Sequence, residues 1–149
     1  MRSPSILLLC MMTLSGNADA SGQAPAGLAG LRWEHRVILI FAHEPAASIA
    51  LSNLHEFAAE LQDRDIAWFL LGDGSLRSNY DGELDDKLRE QLMGHFFTPA
   101  PAGTEVILIG KDGTLKKRSP DLDLEELFGL IDQMPMRREE MRRKADDPD

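Results

Sequence analysis

The chain has 149 residues and a net charge of −9, from 16 basic and 25 acidic side chains, with Cys10 as its single cysteine. So acidic a chain repels phosphate backbones, and we therefore expect no nucleic acid among its partners. Its length fits one domain with its own hydrophobic core.

The first 20 residues have the layout of a secretory signal peptide. Arg2 supplies a positive charge, residues 6–14 form a short apolar run, and Ala18 and Ala20 provide the small residues of a cleavage site. The run is about half of the roughly 20 residues that a membrane-spanning helix needs, so we expect no membrane span. We predict cleavage near Ala20 and a periplasmic or secreted protein, which would lose Cys10 and all thiol chemistry with it.

Residues 21–30, "SGQAPAGLAG", are small and glycine-rich and predict a flexible leader before a domain over residues 31–144. The run "VILIFA", residues 37–42, is apolar throughout, which is typical of a strand buried on both faces. Apolar residues then recur at helical spacing from Pro45 to about Arg64. This spacing predicts a helix.

The middle of the chain continues the alternation of buried strands and helices. Residues 65–72, "DIAWFLLG", predict a second buried strand, followed by a polar loop and a helix over residues 83–93. "TEVILIG", residues 104–110, predicts a third strand, and the turn "KDG" returns the chain as a lysine-rich edge strand.

Two helices are predicted at the end of the chain. Asp123 followed by Glu126 is typical of a capping box, and the helix that it opens should end at Pro135. A short basic helix over residues 137–144 could then form the ion pairs Glu139–Arg143 and Glu140–Lys144. Residues 145–149 are expected to form a disordered tail.

The resulting order is β-α-β-α-β-β-α plus the short C-terminal helix. It predicts an α/β fold of three layers around a mixed sheet, with two parallel crossovers and a closing hairpin. "VILIFA" and "VILIGKDGTLKK" resemble the thioredoxin superfamily. "LIGKDG" followed by "LEELFGLIDQMPMRREEMR" resembles a DUDES-type domain of unknown function, a bacterial secreted form distantly related to peroxiredoxins.

The resemblance implies a fold without the activity of thioredoxins. Their Cys-X-X-Cys loop, placed where a helix N-terminus stabilises a thiolate, reads Phe41-Ala42-His43-Glu44-Pro45 in this chain. Thioredoxins also have a proline directly before the strand of the late hairpin. Here Pro99 and Pro101 are further from that strand, so a cis bond at either one stays open.

His43 and Glu44 are candidate binding residues at the predicted carboxyl edge of the sheet, where α/β folds bind ligands. A neutral imidazole could act as a base or a ligand, and a carboxylate could accept helix amides. The alternative is that Glu44 only caps the helix and His43 is an exposed loop residue.

Arg137 and Arg138 are the second pair of candidates, because they stand out in an acidic chain. They could dock on an acidic groove of the same domain, with Met136 and Met141 as apolar anchors, or hold an anionic ligand or a partner. Met134, Met136 and Met141 are also soft thioether candidates for Cu(I), although methionine more often fills gaps in a core.

We expect a non-catalytic binding or interaction module without a cofactor, with another envelope protein as its partner. The alternatives are a non-thiol enzyme or ligand site built on His43 and Glu44, and a methionine-based copper protein. No serine elbow or phosphate-binding glycine loop occurs in the sequence.

Overall fold

The structure, a computed structural model, describes residues 26–147. The predicted signal peptide, residues 21–25 of the predicted leader and the last two residues lie outside the described part. Within residues 26–147, five strands form one sheet: β1 (Arg36–Phe41), β2 (Ile66–Gly72), β3 (Ser75–Ser78), β4 (Glu105–Ile109) and β5 (Leu115–Ser119).

The sheet has the strand order β3-β2-β1-β4-β5 and is mixed. β1 runs parallel to β2 and antiparallel to β4, and the pairs β2–β3 and β4–β5 are antiparallel. The predicted mixed α/β fold is confirmed, and it is consistent with a thioredoxin-like fold. The prediction of two parallel crossovers was wrong: β1 to β2 is parallel, whereas β4 enters the sheet in the opposite direction.

Helices and a short 3-10 helix, Ala26–Leu31, complete the fold. The helices are α1 (Ala46–Glu56), α2 (Ala58–Asp63), α3 (Leu88–Phe96), α4 (Leu124–Asp132) and α5 (Pro135–Asp146). One face of the sheet shares a buried apolar cluster with α1, α2 and α4, and the other shares one with the 3-10 helix and α3. The result is three layers with two cores.

The central strands are buried on both faces, as their apolar runs predicted. Every residue of β1 and β2 is buried, and alternate residues of β1 enter opposite clusters: Ile38 and Ile40 on one face, Leu39 and Phe41 on the other. A two-sided strand of this kind needs helices on both faces, which explains why both layers exist.

Three segments differ locally from the predictions. The predicted leader is helical from Ala26 onward, because Leu28 and Leu31 are buried in the core. The predicted single helix divides at Phe57, where the backbone leaves the helical conformation. The polar loop after β2 contains β3, which the sequence did not indicate.

The helix ends agree with the sequence more closely. The Asp123 side chain accepts the Glu126 amide at 2.9 Å and caps α4. Pro135 is the first residue of α5, a position where its missing N–H costs nothing. α5 continues to Asp146, two residues past its predicted end, so the prediction of a disordered tail from residue 145 was wrong for residues 145 and 146. None of the helices in residues 26–147 has the length and apolar composition to cross a membrane.

Candidate functional site

His43 lies at the carboxyl edge of the sheet, beside the end of β2. Because β1 and β2 are parallel, the loops that follow them meet at this edge. His43 Nδ1 lies 2.9 Å from Asp73 Oδ1, and the two side chains are 52% and 57% exposed. An ionised carboxylate only accepts, so Nδ1 is the donor in this contact, and in the neutral form of the imidazole Nε2 is the acceptor.

The backbone at the end of β2 makes this contact possible. A Cβ on Gly72 would lie 3.0 Å from the carbonyl oxygen of Ala42, so glycine lets the two strand ends approach closely. Asp73 and Gly74 then turn the chain with positive φ angles of 22° and 84°. The turn places the Asp73 carboxylate next to the imidazole.

Asp73 also accepts the backbone amide of Glu44 in a long contact of 3.4 Å. The hydrogen bonds from His43, first, and from this amide hold the pKa of Asp73 below its usual range. Asp73 therefore stays ionised under physiological conditions and orients the imidazole. It was not among the predicted site residues, although its place directly after a strand parallel to β1 was a usable signal.

Glu44 accepts from the first turn of α1. Its Oε2 atom receives hydrogen bonds from the Ser48 hydroxyl at 2.6 Å and from the Ser48 amide at 3.3 Å. A carboxylate at a helix N-terminus is favourable, so Glu44 acts as a cap, in agreement with the simpler of its two predicted roles. Its second oxygen extends the acidic character of the edge.

Aromatic rings pack against the side chain of His43 at the same edge. The Phe41 ring meets His43 edge-on with centroids 5.0 Å apart and lies 5.6 Å from the Phe97 ring. The bonds before Pro45 and Pro99 are cis, and the bond before Pro101 is not. Since Phe41 pairs with Glu105, the loop over residues 98–104 leads into this edge.

Arg137 lies at the opposite end of the sheet, a strand length of about 20 Å from the carboxyl edge. Its side chain is buried, and it donates to the Asp63 carbonyl oxygen at 2.8 Å, to Asp132 Oδ1 at 3.2 Å and to the Asp63 carboxylate. Arg138 is exposed and forms no ion pair with any residue in the range 26–147. The predicted binding residues Arg137 and Arg138 thus have different surroundings, and neither is near His43.

α5 docks on its own domain through further buried charges. Glu140 accepts from Arg36 Nη1 and Nη2 at 3.1 and 3.2 Å and from Lys111 Nζ at 2.8 Å, and Lys111 also reaches Asp65 at 2.8 Å. Arg36 is 1% exposed and Lys111 is 8% exposed. We call the whole network the α5 clamp; its members are Arg36, Asp63, Arg64, Asp65, Lys111, Asp132, Arg137, Glu140 and Lys144.

Of the two ion pairs predicted for the basic helix, one is confirmed and the other was wrong. Glu139–Arg143 forms at 3.1 Å as predicted. Glu140–Lys144 does not form, because Glu140 turns to Arg36 and Lys111 while Lys144 reaches Asp63 at 2.8 Å. Ion pairs therefore hold α5 against the rest of the domain.

The three methionines contribute little to the docking of α5. Met136 and Met141 are 41% and 37% exposed, so the prediction that they anchor the helix was wrong. Met134 packs against the core cluster beneath α4. Met141 follows Met136 by five positions, which places the two side chains about 140° apart around the helix, on different faces.

The carboxylates of Glu140 and Asp63 are held in their charged form by the cations around them. Burial alone would raise the pKa of Glu140, but hydrogen bonds from Lys111 and Arg36 outweigh it and lower that pKa. Hydrogen bonds from Lys144 and Arg137 lower the pKa of Asp63. Within residues 26–147, no three histidine, cysteine, aspartate or glutamate side chains are arranged to hold a metal ion.

Residues 26–147 therefore contain two separate sites: an exposed carboxyl edge formed by His43, Glu44 and Asp73, and at the other end the α5 clamp, whose residues Arg36, Lys111 and Arg137 are buried. Neither the curated proteins nor the solved structures include a match to the chain. The family model described as Domain of unknown function (DUF4174) matches residues 27–140, which include the carboxyl edge and all members of the α5 clamp except Lys144. The chain therefore belongs to this family of domains of unknown function.

Proposed function

We propose that this domain is a cysteine-free, thioredoxin-like binding module of the bacterial periplasm, and that it recognises another envelope protein through its carboxyl edge. A periplasmic location follows from the signal-peptide pattern of residues 1–20. Kinship with DUDES-type domains belongs to the same proposal and rests on the motifs of the C-terminal half.

The hydrogen bond between His43 and Asp73 is the observation that carries the proposal. It fixes an imidazole in one orientation on a surface where both side chains remain about half exposed. A preorganised polar group that costs little to order is suited to recognition. Glu44 and the exposed Ile49 on the first turns of α1 extend this surface.

The exposure of the carboxyl edge favours binding over catalysis. Acid–base and electrostatic catalysis draw their strength from sites that exclude water, where interactions between charges are strong. His43 and Asp73 face solvent. In the described residues 26–147, the buried charged side chains are Arg36, Lys111 and Arg137, and all three belong to the α5 clamp that holds the last helix.

The second candidate is a non-thiol enzyme that uses the same pair. Asp73 accepting from Nδ1 leaves Nε2 of His43 free to take up a proton, which is the arrangement of a general base. This candidate differs from the first in what it requires of His43. An enzyme needs proton exchange near neutral pH, whereas a binding module needs only the shape and the hydrogen bonds.

Complementation of a strain that lacks the gene separates these functions. We expect H43A/E44A to fold and fail to complement, and H43N, whose amide nitrogen takes the place of Nδ1 and can still donate to Asp73, to complement at least in part. An enzyme would instead lose complementation with H43N as fully as with H43A/E44A. R138A/R142A, on the exposed face of α5, is the matched control, and its failure alone would place the function on α5.

A further inference from the structure

A cleft of about 180 Å³ opens between the 3-10 helix and the turn that joins β4 to β5. Its floor is apolar and consists of Leu28, Leu31, Val37 and Ile109, each at most 3% exposed. The cleft lies at the amino end of β1, on the opposite side of the sheet from the α5 clamp. It belongs to neither site described above.

Arg32 stands at the rim of this cleft without a carboxylate partner in residues 26–147. Its guanidinium lies 5.0 Å above the centroid of the Trp33 ring, which is 58% exposed. A cation over an indole face is attracted by the ring and loses freedom there. Arg32 is thus an available cation that the structure holds in place.

Trp33 has a backbone conformation that a bulky residue rarely adopts. Its φ angle is 72°, in the left-handed region, and its amide donates to the Lys111 carbonyl oxygen at 2.6 Å. Such strain persists only where the surroundings fix it, and it is concentrated at functional positions. In this case the strain places an exposed aromatic ring under the arginine beside the cleft.

The carboxylate at the cleft is already satisfied by its neighbours. Asp112 Oδ2 accepts from Lys116 Nζ at 2.8 Å, and Oδ1 accepts from the amide and hydroxyl of Thr114 at 3.0 and 2.9 Å. Its charge is compensated locally. His35 also lines the cleft, with its ring edge-on to Tyr80 at 5.7 Å, so Arg32 is the guanidinium at the rim that remains available to an anion.

We propose that this cleft binds a small organic carboxylate with an apolar body. The apolar body would occupy the floor, and the carboxylate would pair with the Arg32 guanidinium, a fork that fits two carboxylate oxygens. The volume is close to that of engineered apolar cavities, about 150 Å³, that accept a benzene ring. A ligand with a single ring therefore fits.

Phenylacetate is the probe, titrated into the mature chain by isothermal calorimetry and by changes in amide chemical shifts. We expect saturable binding with a Kd of about 1 mM, a value reasonable for some ten heavy atoms, and changes centred on the residues of the cleft. Phenylacetamide, which lacks the charge, should bind about tenfold more weakly. Equal binding of the two compounds would overturn the assignment to Arg32.

Two pairs of variants locate the site. R32Q should weaken phenylacetate binding about tenfold, and R138Q, another exposed arginine, should not change it. A29F should block the cleft, since Ala29 is exposed and lines it, whereas A26F on the same 3-10 helix should bind normally. Absence of saturation in the unmodified chain, or equal effects within either pair, would refute the proposal.

Discussion

Replacing Glu140 with glutamine should lower the free energy of unfolding by about 3 kcal/mol at neutral pH. The variant keeps the size of the side chain but leaves the Arg36 guanidinium, 1% exposed, and the Lys111 ammonium without the carboxylate that joins them. Lys111 keeps Asp65 as a partner, whereas Arg36 keeps the carbonyl oxygen of Arg64 and loses its carboxylate, and a buried guanidinium without a carboxylate is costly. The residual exposure of Glu140, 24%, places the value at the lower end of the usual range.

Its neighbour Glu139 provides the control. Glu139 pairs with Arg142 and Arg143 on the exposed side of α5, so E139Q should change the free energy of unfolding by less than about 0.5 kcal/mol. Both variants remove one negative charge from the same helix. Equal denaturation midpoints for the two would show that the clamp contributes no more than surface pairs.

Acid should abolish the difference between the wild type and E140Q. The pKa of Glu140 is lower in the folded state than its ordinary value of 4.5. Its stabilising contribution is therefore complete above about 4.5 and is lost as the pH falls through the depressed value. Denaturation curves measured down this range should converge, and a difference that persists after Glu140 is protonated would contradict the charge-based account.

Arg137→Ala should cost about 2 kcal/mol, whereas Arg138→Ala should cost less than about 0.5 kcal/mol. Arg137 is buried, and its loss leaves the Asp63 carbonyl oxygen without that donor. The carboxylates of Asp63 and Asp132 keep Lys144 and Arg64 as partners, which limits the cost. Arg138 is exposed and is not part of the clamp.

Chemical denaturation of the two variants side by side measures this difference. If Arg137 and Arg138 instead bound a partner, both variants would keep the stability of the wild type and both would be defective in the cell. The clamp also affects how α5 can be tested. Truncating residues 137–149 would remove Glu140 along with the exposed residues, so a truncated protein would lose stability whatever the function of α5.

The apolar strands could be predicted because their signal is local. The continuous apolar runs of β1, β2 and β4 are enough to predict strands buried on both faces. The Asp123 cap accepts from the amide of Glu126, only three residues away. β3 could not be predicted in the same way, because "SLRS" is short and polar. The Asn79 side chain prolongs its pairing by accepting from the Trp68 amide and donating to the Ile66 carbonyl oxygen.

The clamp was hidden by sequence separation. Arg36 opens an apolar strand, and its partner Glu140 lies 104 positions further along the chain. The i, i+4 spacing on the helix predicted Lys144 as the partner of Glu140. In the structure, Glu140 pairs with the buried cations Arg36 and Lys111 instead. Asp73 is a different case: two parallel strands bring their carboxyl ends together, so its meeting with His43 could have been inferred from topology.

Photo-crosslinking in the cell tests the central claim, that the carboxyl edge recognises a partner while α5 only stabilises the domain. A benzophenone amino acid replaces Ile49, which is 60% exposed beside the edge, or Arg138 on α5. We predict a discrete adduct with an envelope protein from position 49, lost when H43A/D73N is added, and none from position 138. An adduct from position 49 that survives H43A/D73N, or adducts from position 138 alone, would contradict the account.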